Sequence, residues 1–151
     1  MIPRGKAGID HLTTRLLNDV VPQIEDAYMM SDLAMIAEMI NLIAQDFDRA
    51  ADVLTTDRDD ILNIFRSLSD QPELSAMKPK IAELVEPKSE SLRIEELNAH
   101  MDKMLPVLMD FHASVEQAVA SGAPWAEAAN RQIWAFYEDY VKRRVYKTVT
   151  V

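Results

Sequence analysis

The chain has 151 residues, 48% hydrophobic and 27% charged, a balance that argues against global disorder and suits one domain able to bury its own core. A formal net charge of −9 argues against binding a phosphate backbone, where affinity comes from Lys and Arg, and the absence of cysteine excludes disulfides, thiolate metal sites and cysteine nucleophiles. The scarcity of glycine (Gly5, Gly8 and Gly122) leaves too few turn positions for a β-rich fold and favours a few long helices.

Residues 1–8 read as an irregular lead-in, because Pro3, Gly5 and Gly8 discourage helix. Ile9, Leu12, Leu16, Val20, Ile24 and Ala27 then mark a first helix over about 9–28, with Pro22 expected to kink or break it. Ser31 and Asp32 offer an N-cap and an N-terminal acid to a second helix over about 31–54. Along it Met29, Leu33, Ile36, Ile40, Ile43, Phe47, Ala50 and Leu54 alternate by steps of four and three, the seam of a helix packed lengthwise on others. Met35, Met39 and Leu42 add a second apolar stripe. The segment is therefore expected at the centre of a core, with only Glu38, Asn41, Gln45, Asp48 and Asp52 left to water.

Thr55-Thr56-Asp57 reads as a stop followed by a new cap. Short crossing helices are expected within 57–87, one to Leu68 and one near Pro79 to Val85, in a region punctuated by Pro72, Pro79 and Pro87. A long helix over about 91–121 repeats the four-three spacing through Leu97, Met101, Met104, Leu108, Phe111, Val115 and Ala118, with Pro106 inside it. Ser121-Gly122-Ala123-Pro124 is a helix stop followed by a helix start. The last helix, about 124–147, carries most of the aromatic residues and ends in Lys142, Arg143, Arg144 and Lys147; Thr148-Val149-Thr150-Val151 has strand propensity. The expected fold is all-α, a single-domain helical bundle spanning 1–151.

Candidate chemistry is sparse. Carboxylate-bridged metal pairs in bundles need Glu-x-x-His, and none of His11, His100 and His112 has Glu three residues before it. Glu96 with His100 and His112 with Glu116 each share a helix face, but the two histidines point about 120° apart and cannot serve one intrahelical site. Ala99-His100-Met101-Asp102-Lys103 resembles the Ala-His-x-x-Lys core of histidine phosphotransfer domains over these few residues. Those domains continue with Gly and small residues where this chain has Met104, Leu105 and Pro106, so His100 is read as an exposed helical histidine. No catalytic residue, metal ligand or cofactor is assigned.

The best lead is aromatic. His112 interrupts an otherwise apolar stripe (Met101, Leu105, Leu108, Val115, Val119), and the last helix has two apolar faces, one with Trp134 and Tyr137, the other with Trp125 and Tyr140. His112, Trp125, Trp134, Tyr137 and Tyr140 are taken as a face for a protein partner or a small apolar ligand, since aromatic residues are enriched at interfaces and in pockets. From Asp19 to Asp60 every charged residue except Arg49 and Arg58 is acidic, whereas Lys142 to Lys147 is basic; such poles favour a homo-oligomer. The apolar stretches are broken by Asp, Glu, Asn or Gln, and the first residues lack an apolar secretory core, so neither a membrane nor nucleic acid is an expected partner and the expected location is cytoplasmic. The expected function is non-enzymatic, through protein–protein contacts and self-association, with binding of a small apolar or aromatic ligand as the alternative and a metal- or phosphate-handling enzyme as the third reading.

Overall fold

The computed structural model describes residues 4–68, 70–85 and 91–148, and among these the chain forms α-helix, short π and 3₁₀ turns, and no strand. The α-helices are α1 (Gly5–Arg15), α2 (Ala27–Leu68), α3 (Lys78–Val85), α4 (Ile94–Ala120) and α5 (Ala126–Lys142). The fold is all-α, as expected. The strand-prone Val149, Thr150 and Val151 lie outside the described residues. Two compact units divide the chain: Met1–Ala50 with Val145–Val151, and Ala51–Arg144.

In the first unit α1 starts at Gly5, inside the stretch expected to be irregular. The Gly5 backbone lies against the tip of the Phe47 ring, so a Cβ added there would push that exposed ring aside. The helix passes through a π turn at Leu16–Val20 and a 3₁₀ turn at Val21–Gln23, where Pro22 removes a donor, and it ends at extended Ile24. The expected break at Pro22 is present. Because Gly5 meets Phe47 while the turn joins the opposite ends, α1 runs antiparallel beside the start of α2.

The N-cap of α2 is Asp26, not Ser31: its Oδ1 accepts from the backbone N–H groups of Tyr28 (2.8 Å) and Met29 (3.2 Å). Nor does the helix stop at Leu54. Thr55 turns its hydroxyl back onto the carbonyls of Ala51 (2.8 Å) and Asp52 (3.0 Å), and so supports the helix it was expected to end. Neither Gly nor Pro occurs between Ala27 and Leu68, and α2 runs on for 42 residues.

The expected burial of the Ser31–Leu54 seam is overturned in its N-terminal half. Ala37 and Ala44 are fully buried, but Tyr28, Met29, Met35, Ile36, Met39, Ile43 and Phe47 are between 40% and 85% exposed. By length and composition alone, α2 would also be long and apolar enough to cross a membrane.

The second unit holds the main core. Leu54, Ile61, Leu62, Ile64, Phe65 and Leu68 of α2 join Leu97, Met101, Met104, Leu108, Phe111 and Val115 of α4, with Ala129, Ile133 and Phe136 of α5. Phe65 and Phe111 meet edge to face at 5.3 Å. Leu74 and Met77, on a 3₁₀ turn at Pro72–Met77, and Leu84 of α3 close one side, so the stretch around Pro72 and Pro79 does form short helical turns, while Pro87 lies outside the described residues. α4 continues through Pro106. It ends in a Schellman motif: Gly122 at φ +78° gives its N–H to Val119, and Ala123 gives its N–H to Ala118, each at 3.0 Å.

Candidate functional site

His112 is 8% exposed, and its Nε2 donates to Oδ1 of Asn130 at 2.8 Å, an amide oxygen being able only to accept. Glu116 Oε1 stands 3.8 Å from the same nitrogen. The imidazole lies 5.6 Å from the centroids of both Trp134 and Tyr137, which are themselves 5.8 Å apart. Tyr137 contacts Phe136, and Phe136 contacts Tyr140, whose face is covered by the Arg144 guanidinium at 3.4 Å. Burial, followed by the Glu116 charge, raises the pKa of Tyr137.

Four of the five residues singled out from sequence thus join one chain of ring contacts. Trp125 stands apart at the N-cap of α5, half-buried against the core, with its Nε1 buried and lacking a hydrogen-bond partner. None of the five lines a pocket of about 180 Å³ at Lys80, Glu83, Leu84, His100, Lys103 and Val107. Trp134 is half-exposed, whereas His112 is held by its amide partner, so the cluster is an edge-packed aromatic surface braced by a histidine. Among the described residues no three His, Asp or Glu groups converge to hold a metal.

Two further clusters lay outside the sequence reading. Asp57 is completely buried on α2 and is met by Arg143, which also binds Asp60, and by Arg144 at 2.7 Å. Burial opposes the Arg143 charge, but hydrogen bonds to Asp60 and Asp57 outweigh it and raise its pKa. The basic pole is therefore largely occupied within its own chain, with Lys142 paired to Glu138 and Asp139.

In the other unit, Val145–Lys147 lies on the strip expected to face water. Asn41 Nδ2 and Gln45 Nε2 both donate to the Lys147 carbonyl (3.0 and 2.8 Å), and Gln45 Oε1 accepts the Lys147 N–H (2.9 Å). Arg49 donates to the Val145 carbonyl at 2.9 Å and covers the Tyr146 ring at 4.5 Å. The Tyr146 hydroxyl donates to Asp46 at 2.9 Å. That bond, then burial and the Asp46 charge, raises the Tyr146 pKa above 10.0. The i, i+4, i+8 spacing of Asn41, Gln45 and Arg49 was the available signal, but nothing local names the non-helical segment after α5 as its partner.

No protein-family model, curated protein or solved structure matches the chain.

Proposed function

We propose that this chain is a non-enzymatic, cytoplasmic helical protein that works through protein contacts, the first of them with a second copy of itself through the apolar face of α2. One observation carries the reading: the exposed side chains keep a heptad. Met29, Ile36 and Ile43 recur every seven residues, flanked by Met35, Met39 and Phe47 in an arc of about 120°.

The size fits. At roughly 100 Å² each, these residues with Tyr28 present on the order of 700 Å², near the ~800 Å² that each partner contributes to a standard interface. It also exceeds the largest apolar patch of most monomers, ~300–600 Å². A bilayer is the less favoured cover. Lipid selects no heptad, and helices lying on membranes carry Lys and Arg where this one carries Asp32, Glu38, Asp46 and Asp48.

Size-exclusion chromatography with light scattering tests the reading. A dimer is expected at micromolar concentration, and Ile36→Glu with Ile43→Glu should convert it to a monomer without loss of helical signal. Added salt should strengthen the wild-type dimer, because it screens the acids beside the seam. A wild-type monomer, or one that sediments only with lipid vesicles, would sink the proposal.

A further inference from the structure

The C-terminal segment on α2 is bound in a way that simple packing would not require. Among the described residues the hydrogen bonds to 145 and 147 are made by main-chain groups, and at 146 by the side chain. The Gln45 amide meets both the C=O and the N–H of Lys147, the pairing that a neighbouring β-strand would supply. A segment outside regular secondary structure can answer it, as residues 145–148 do, because a residue inside a helix has already committed both groups. Arg49 and Asp46 then form a socket for one aromatic ring bearing a hydroxyl, with the guanidinium on its face and the carboxylate at its tip. Arg49 Nη2 is buried and, among the described residues, has no hydrogen-bond partner.

We infer that Asn41, Gln45, Asp46 and Arg49 form a docking site for a non-helical, tyrosine-bearing peptide, filled here by the chain's own Val145–Lys147, and that its occupant in trans is the same segment of a second copy. All four groups project from successive turns of one helix, so their arrangement does not depend on which chain delivers the peptide. Contacts made to main chain are identical from either source, the condition under which segments exchange between protomers. The choice of partner rests on the self-association proposed above, which would hold a second tail at high effective concentration.

The site is tested by calorimetric titration of a capped peptide of residues 143–148 into the full-length Tyr146→Ala chain, whose own tail lacks the ring. Saturable binding is expected, at least tenfold tighter than to wild type, where the resident tail competes. Adding Gln45→Ala and Arg49→Ala should abolish it, as should proline at the Lys147 position of the peptide, which removes the N–H that Gln45 accepts. Absence of binding to Tyr146→Ala, or undiminished binding after the socket substitutions, overturns the site.

The occupant is tested by native mass spectrometry of the Gln45→Ala/Arg49→Ala chain mixed with the Tyr146→Ala chain, one supplying an intact tail and the other an intact socket. Mixed dimers in excess of the statistical share support exchange, and a statistical share refutes the second copy as occupant while leaving seam pairing intact. Monomers throughout, with peptide binding retained, would refute both the seam and the second-copy occupant but not the peptide site.

Discussion

Phe47 and Phe65 share a residue type and a helix, yet their substitutions should behave differently. Phe65 is fully buried against Phe111, so Phe65→Asp places an unpaired charge in the core and should abolish cooperative thermal melting. Phe47 is 65% exposed, and Phe47→Asp should leave the fold intact at a cost of about 1 kcal/mol, as read by circular dichroism. Gly122→Ala forces a side chain into left-handed backbone and should cost roughly 1–2 kcal/mol, although the space beside it is open. At Tyr146 the fold favours the neutral phenol, so its folded pKa lies above the ordinary 10.0. Its contribution is complete below that pH and is lost as pH climbs through the raised value. Absorbance titration of the tyrosinate band, wild type against Tyr146→Phe, should show a late-ionising group missing from the variant.

At the scale of the element, heptad spacing revealed where helices lie better than it revealed what covers them. The four-three series of α4 and of the last part of α2 meet in one core, as their periods imply. The same series from Met29 to Phe47 looks identical in sequence, but among the described residues of its own unit it has α1, the turns that follow it and the C-terminal segment beside it, and most of the series stays exposed. Period reports a face, and burial depends on distant chain. Thr55-Thr56-Asp57 was misread for a related reason: each type caps helices, but Thr55 bonds backward and Asp57 is held by distant arginines. His112 was legible as an interruption of an apolar stripe, whereas Asn130, which satisfies it, carried no local signal. The Asp57 cluster predicts an asymmetry. Replacing Arg143 and Arg144 by Met strands a fully buried carboxylate and should cost about 3–5 kcal/mol. Asp57→Asn should cost less, because both guanidinium groups remain partly in water; urea melts would rank the two.

For the whole molecule, charge was the least transferable sequence signal. An acidic stretch and a basic end suggested poles available to a second copy, but most of those cations are already paired within the chain. Along the N-terminal half of α2 the exposed surface is acidic and apolar together, with Asp32 and Asp48 beside the exposed Met, Ile and Phe side chains. Association should therefore be driven by the seam and opposed by charge, which is why the expected salt response is strengthening.

The unbroken run of α2 has a consequence for amide exchange. Its hydrogen bonds are continuous from Ala27 to Leu68, but its burial is not. Local opening follows tertiary cover more than helical continuity. Amides from Ile61 to Leu68 should therefore be protected near the level of global unfolding, while those from Tyr28 to Phe47 exchange orders of magnitude faster in dilute solution. Raising the protein concentration should slow only the second group, so that a single helix would report, within its own length, both how firmly the chain is folded and how often it has found its partner.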